Sequence, residues 1–266
     1  MSSVEVPDDA RDRPARRRVL ATLGVTLALV SACSDGGDGS GGTGVSTSSP
    51  SATGAAGAAA LPERPDCAAD AGGELVTATT SQGEPVAILL IGEGTGGVVL
   101  GPQDDGDICQ WLPYATALAE RYRVALYDWA DPRAEVPALA TAALRDAGAE
   151  QVVVGGASYG GAMALSQAYL IEPTPVGVLS LSGEITLPGF DGSAGIERWT
   201  GPLLQISSTE DDFFNSEDAD RLAALHPGSE TILMLPGDTH GVELLEGPDE
   251  DTVWAAIDSF LAETLG

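Results

Sequence analysis

Gln151-Val152-Val153-Val154-Gly155-Gly156-Ala157-Ser158-Tyr159-Gly160-Gly161-Ala162-Met163-Ala164-Leu165 is the stretch whose reading decides the fold. Its first residues are a short, continuous β-branched run, the pattern of a strand buried on both faces. From Gly161 the residues are small and unbranched at Cβ, as in a helix packed tightly on its neighbours. Between the two lies Gly156-Ala157-Ser158-Tyr159-Gly160, a G-x-S-x-G pentapeptide. As a bare pattern it carries little, because the chain has 34 glycines and composition alone supplies about 0.3 such matches by chance. Its position carries more. A sharp strand-to-helix turn forces the central serine into a strained backbone and requires neighbours without bulk. It also exposes the hydroxyl and points the next N–H, at a helix N-terminus, toward developing negative charge. Ser158 is therefore the candidate nucleophile and the Tyr159 N–H a candidate oxyanion donor. The bland alternative is an ordinary glycine-rich loop joining a strand to a helix.

Outward from this turn, strand and helix patterns alternate. Glu74–Thr80 and Val86–Ile91 read as strands joined by the Ser81-Gln82-Gly83-Glu84 turn, the second running into a glycine-rich loop. Helical spacing follows at Trp111–Arg121, Val136–Ala147, Gly161–Leu170, Asp218–Leu225 and Val253–Leu265. Between these lie short apolar runs at Arg123–Tyr127, Val176–Leu181, Leu203–Ser207 and Thr231–Leu235. The pattern predicts an α/β fold, a mostly parallel sheet covered by helices on both faces, with function in the loops beyond the strands' C-terminal ends.

With these elements and the nucleophile turn in place, the chain from Glu74 to its end resembles the α/β-hydrolase superfamily, the serine esterases and lipases. The resemblance implies the order serine, acid, histidine, with the acid after a later strand and the histidine before the last helix. Only two histidines exist. His240, in Pro236-Gly237-Asp238-Thr239-His240-Gly241, occupies that place; His226, in a helix-ending Leu225-His226-Pro227-Gly228 turn, reads as a surface residue. After Leu203–Ile206 comes Ser207-Ser208-Thr209-Glu210-Asp211-Asp212, and the resemblance aligns Asp211 with the acid. Asp212 and Glu210 stay open beside it, as does Glu184 after the preceding strand. The implied chemistry is ester hydrolysis through an acyl-enzyme, with His240 as base and the carboxylate orienting it. Thioesters and amides fit the same residues. No organic cofactor is implied, and two histidines with a paired Cys67 and Cys109 do not make a usual zinc site.

Relatives often carry His-Gly where a strand supplies the second oxyanion donor. Here the corresponding loop reads Ile91-Gly92-Glu93-Gly94-Thr95-Gly96-Gly97, which makes Glu93, Gly94 or Thr95 the candidate donor. A Glu93 carboxylate would oppose an oxyanion unless turned away, and this departure supports a second class of reading, a non-catalytic envelope lipoprotein that keeps the fold. Between the strands ending near Leu181 and beginning near Leu203, Ile185–Thr200 is too short for a large lid. Leu187, Phe190, Ile196 and Trp199 read either as one wall of a shallow acyl pocket or as core.

The N-terminal part reads differently. Arg16-Arg17-Arg18, an apolar run over Val19–Val30, and small residues before Cys33 form the three parts of an export signal. The run is well under the roughly 20 residues that a helix needs to span a bilayer. Val30-Ser31-Ala32-Cys33 resembles a bacterial lipobox, implying cleavage after residue 32, lipidation of Cys33 and anchoring outside the cytoplasm; Arg16-Arg17 also fits a loose twin-arginine signal. Residues 33–61 are nearly all Gly, Ser, Thr and Ala and read as a tether with a reach of roughly 30 Å. The hydrolase-like domain is then 62–266. In an oxidising compartment Cys67 and Cys109 remain as an even pair, read as a disulfide rather than two buried thiols and worth about 4 kcal/mol by loop closure.

From Cys33 onward the chain carries 36 acidic and 7 basic residues, all of the latter arginine, for a net charge of -29. Such a surface repels phosphate backbones, which excludes nucleic acid as a partner. A soluble monomer acting on small or lipid esters is the expectation.

Overall fold

The structure, a computed structural model, describes residues 62–187 and 190–266. The signal, Cys33 and the tether lie outside the described residues. In chain order the strands are β1 (Glu74–Thr79), β2 (Pro85–Ile91), β3 (Gly96–Gly101), β4 (Arg123–Tyr127), β5 (Gln151–Ala157), β6 (Gly177–Leu181), β7 (Thr186–Leu187), β8 (Phe190–Asp191), β9 (Leu203–Ser208) and β10 (Glu230–Leu235). The α-helices are α1 (Ile108–Leu118), α2 (Val136–Asp146), α3 (Tyr159–Gln167), α4 (Ser193–Ile196), α5 (Ser216–Leu225) and α6 (Glu250–Leu265).

Eight strands form one sheet in the order β1-β2-β4-β3-β5-β6-β9-β10. Only β2 runs against its neighbours, pairing antiparallel with β1 and β4; every other pairing is parallel. This is an α/β-hydrolase-like fold, with helices on both faces. The Val152-Val153-Val154 run has no polar alternation because successive side chains enter two different cores. Val153 joins Val98, Leu100, Ile257 and Leu261 on the α1 and α6 side. Val152 and Val154 join Val99, Tyr127, Leu165 and Phe214 on the α2, α3 and α5 side. Edge strand β1, by contrast, is nowhere fully buried.

Two features depart from the sequence expectation. The strand β3 falls where the sequence suggests only a glycine-rich loop. Its apolar centre is only Val98-Val99-Leu100, set between glycines, so its strand signal is short, yet it lies between β4 and β5 near the middle of the sheet. Helix α1 starts at Ile108, where the Asp107 side chain accepts from the Cys109 N–H at 2.8 Å, and it continues through Pro113. Residues 185–200 hold the small β7–β8 hairpin and α4, in keeping with the absence of room for a large lid. Within that segment Ile196 and Trp199 are buried in the core.

Cys67 and Cys109 are disulfide-bonded with Cα atoms 5.8 Å apart. The bond ties the chain before β1 to the first turn of α1.

Candidate active site

At the C-terminal end of β5 the chain turns into α3 at Ser158, whose φ of 50° and ψ of -117° are rare for a residue with a side chain. The turn is over-determined by what surrounds it. The Ser158 N–H donates to the Leu181 carbonyl at 2.8 Å, and its carbonyl accepts from the Ala162 N–H at 2.9 Å. A Cβ on Gly160 would overlap the Gly101 carbonyl oxygen and come within 2.7 Å of the Pro102 one; a Cβ on Gly156 would lie 2.7 Å from the Gly101 oxygen. Glycine at both places is what lets β3, β5 and α3 converge here. Tyr159 is the first residue of α3, so its N–H has no partner within the helix.

Asp211, just beyond β9, is 1% exposed. The His240 Nδ1–H donates to it, 2.8 Å from Oδ2 and 3.1 Å from Oδ1. A carboxylate can only accept, so this contact fixes the proton on Nδ1 and leaves Nε2 as the free base. Asp211 also accepts from the Phe213 N–H at 2.8 Å, and the Ser207 hydroxyl lies 3.1 Å from Oδ2. Behind it, Ser207 Oγ is 3.1 Å from Ser182 Oγ, which accepts from the Gly241 N–H at 3.0 Å. Burial by itself would raise the Asp211 pKa, but the hydrogen bonds from His240 and Phe213 outweigh it and hold the carboxyl below its ordinary value. The exposed Phe213 ring covers His240 from one side, with centroids 4.8 Å apart. Asp212 and Glu210, the adjacent carboxylates, are exposed and make no contact with His240.

Ser158 and His240 open onto one cavity of about 650 Å³. Gln103, Asp104 and Asp105, from the loop after β3, form one wall; Glu184 and Leu187, after β6, form another. Arg133 and Tyr159 complete it, the guanidinium lying 5.2 Å from the Tyr159 ring and 5.5 Å from that of Trp129 while pairing with Asp104. Glu184 is half-buried, and burial pushes its carboxyl up to about 7. Of the four residues considered for an acyl wall, Leu187 alone lines this cavity.

The structure corrects two sequence expectations. Glu93 and Gly94 are not near Ser158. They precede β3, whose first residue Gly96 pairs with Gln151 at the start of β5, whereas Gly101 at its end pairs with Gly156 beside Ser158. Five residues of strand, about 17 Å, separate the two ends. The Gly94 carbonyl instead accepts from Arg123 Nε. The loop that enters the cavity is the one after β3, and Gln103, which the sequence reading passed over, stands there. The missed signal was Val98-Val99-Leu100, which places a strand end, and hence a loop of the working face, at Gly101. His226, expected on the surface, is 5% exposed, with no hydrogen-bond partner for either ring nitrogen among the described residues.

Among the described residues, no group of three or more His, Cys, Asp or Glu side chains is arranged to hold a metal ion. No helix there is long and apolar enough to cross a membrane.

No protein-family model matches the chain, and no curated protein matches it in sequence. Solved structures do share its fold. An esterase from Thermogutta terrifontis, determined with malate bound, has a TM-score of 0.60 at 16% identity, covering 73% of this chain and all of that one. An esterase of Pyrococcus furiosus has a TM-score of 0.63 at 15% identity, covering 78% of this chain and 98% of that one. A dienelactone hydrolase from Anabaena variabilis has a TM-score of 0.56 at 19% identity, covering 73% and 98%. These likenesses establish the α/β-hydrolase-like fold with esterase neighbours.

Proposed function

We propose that this chain is a serine hydrolase that cleaves carboxylic esters, with Ser158 as nucleophile, His240 as general base and Asp211 as the group that orients the imidazole. The observation that carries the reading is the juxtaposition at the cavity: a buried carboxylate holds His240 by Nδ1, and His240 shares the cavity wall with a serine on a strained strand-to-helix turn. Ser158 Oγ attacks the acyl carbon and its proton passes to His240 Nε2, with the imidazolium stabilised by Asp211. Collapse of the tetrahedral intermediate breaks the ester bond, and His240 returns the proton to the departing alcohol. Water then attacks the acyl-enzyme by the same route, releasing the acid and restoring Ser158.

Two donors serve the oxyanion in this account. One is the Tyr159 N–H, aided by the α3 dipole. The other is Gln103. Its N–H donates to Gln110 Oε1 at 2.8 Å, its carbonyl accepts from Trp129 Nε1 at 3.0 Å, and its Oε1 accepts from the Val242 N–H at 3.2 Å. That leaves the side-chain Nε2 as the hydrogen-bonding group of Gln103 without a partner among the described residues. Each such donor is worth roughly 10²-fold in kcat or more.

The open cavity and the short 185–200 segment support small or medium esters. The proposal extends to a monomer exported to the cell exterior, with Cys33 lipidated and residues 33–61 as the tether. Two measurements test it. The purified protein cleaves short-chain p-nitrophenyl esters and Ser158→Ala does not; retained turnover in that variant would remove the assignment. Mass spectrometry of the mature protein shows a diacylglyceryl-modified Cys33 as its N-terminus, and an unmodified cysteine there rules the anchor out.

A further inference from the structure

Three carboxyls of the cavity wall, Asp104, Asp105 and Glu184, take no part in this chemistry, and of these Glu184 alone is half-buried. Glu184 sits half-buried in the same cavity as Ser158 and His240. Of the other carboxylates, buried Asp211 is engaged with His240, exposed Asp104 with Arg133, and half-buried Asp128 with the Ile108 N–H. Glu184 has no ion-pair or hydrogen-bond partner among the described residues.

The surroundings of Glu184 favour a cation over a neutral donor. The charged and titratable groups facing it are His240, Asp211, Asp218 and Asp104, so no permanent positive charge satisfies it. Arg133, the cation of the cavity wall, is held by Asp104 and stacked on Trp129 and Tyr159. The exposed Phe213 ring lines the same space and offers an aromatic surface of the kind an ammonium group prefers. A half-buried carboxyl whose ionisation burial resists gains more from an opposite charge than from a hydroxyl or amide. The net charge of -29 beyond residue 32 draws cations toward the site and repels anionic esters.

We propose that Glu184 determines specificity, and that the preferred substrates are esters carrying an ammonium group positioned to meet its carboxylate. The inference rests on the serine-hydrolase reading above. It assigns Glu184 to recognition, not to the proton transfers.

The test uses the purified protein and two pairs of isosteres. Butyrylthiocholine is compared with S-(3,3-dimethylbutyl) thiobutyrate, which places the charge on the leaving side. The p-nitrophenyl esters of 4-trimethylammoniobutyrate and 5,5-dimethylhexanoate place it on the acyl side. In one pair the cationic member is expected to have a kcat/KM about fivefold higher, the size of a solvent-screened ion contact. Glu184→Gln brings that ratio below about two, while Glu230→Gln, an exposed acid on β10, leaves it unchanged; loss of the ratio in both would assign it to the overall field and overturn the proposal. The ratio also rises between pH 6 and pH 8 as Glu184 ionises, since any step common to the two esters leaves the ratio untouched. That profile in the unmodified protein carries the test if Glu184→Gln does not fold, and a flat profile counts against the proposal. Ratios near one in both pairs, with the neutral esters turned over, overturn the recognition role and leave the hydrolase reading standing. Failure to cleave any of the four, with Ser158 inert to an active-site probe, brings down both.

Discussion

The two ends of β3 carry loops that look alike in sequence and differ in what they can do. Before the strand stands Gly92-Glu93-Gly94-Thr95; after it stands Gly101-Pro102-Gln103-Asp104-Asp105-Gly106. Both are rich in glycine and acid. At the first, Gly92 adopts a φ of 75° because the chain passes against the Ala119 and Tyr122 carbonyls at the end of α1, a matter of packing. At the second, Gly101 meets Gly156 and Gly160 under the Ser158 turn, and Gln103 reaches the cavity. Composition does not separate the loops; strand direction does, since in a parallel sheet the working face is the one beyond the C-terminal ends.

Substitutions at the two ends test this contrast. At the working end, His240→Ala is expected to lower kcat for a short-chain p-nitrophenyl ester by about 10⁶-fold, since base and proton donor are lost together. Steady-state kinetics on protein with an unchanged circular dichroism spectrum checks it. Gln103→Ala is expected to lower kcat by about 10²-fold with little change in KM, as befits a contact made only in the transition state. Retention of kcat there would remove the Gln103 side chain from the oxyanion site. At the other end, Glu93→Gln is expected to change kcat/KM by less than about twofold, because its carboxylate lies a strand's length from the reacting atoms. A large loss from Glu93→Gln with none from Gln103→Ala would reverse the comparison.

With Glu93 removed from the site, the main support for a non-catalytic lipoprotein goes too. That reading rested on a carboxylate opposing the oxyanion, and the structure puts it at the far end of the sheet.

Much of the fold was legible because parallel strands with two covered faces leave a distinctive mark, and Val152-Val153-Val154 followed by Gly161-Ala162 is nearly sufficient to place β5 and α3. The missing strand β3 was hidden by the glycines that its closeness to Ala149, Leu144 and Gly160 requires, since glycine erases the β signal in the act of permitting the packing. The nucleophile turn and the histidine loop could be placed by order along the chain. Which of three adjacent carboxylates meets His240 could not, because sequence spacing gives no direction for a side chain; burial chose Asp211 and left Glu210 and Asp212 in solvent. Glu184 stood out as a possible acid from its place after a strand, and the structure instead sets it in the cavity wall without contact to His240 Nδ1. A Pro-Gly turn reads as surface, whereas the His226 ring before it is covered.

The central claim is that Ser158 is an activated nucleophile, and covalent labelling tests it most directly. The account predicts that a fluorophosphonate probe modifies the folded protein once, that peptide mass spectrometry places the adduct on Ser158, and that Ser158→Ala abolishes labelling while His240→Ala slows it by orders of magnitude. Folded protein that takes up no probe, or takes it up on another residue, would contradict the account.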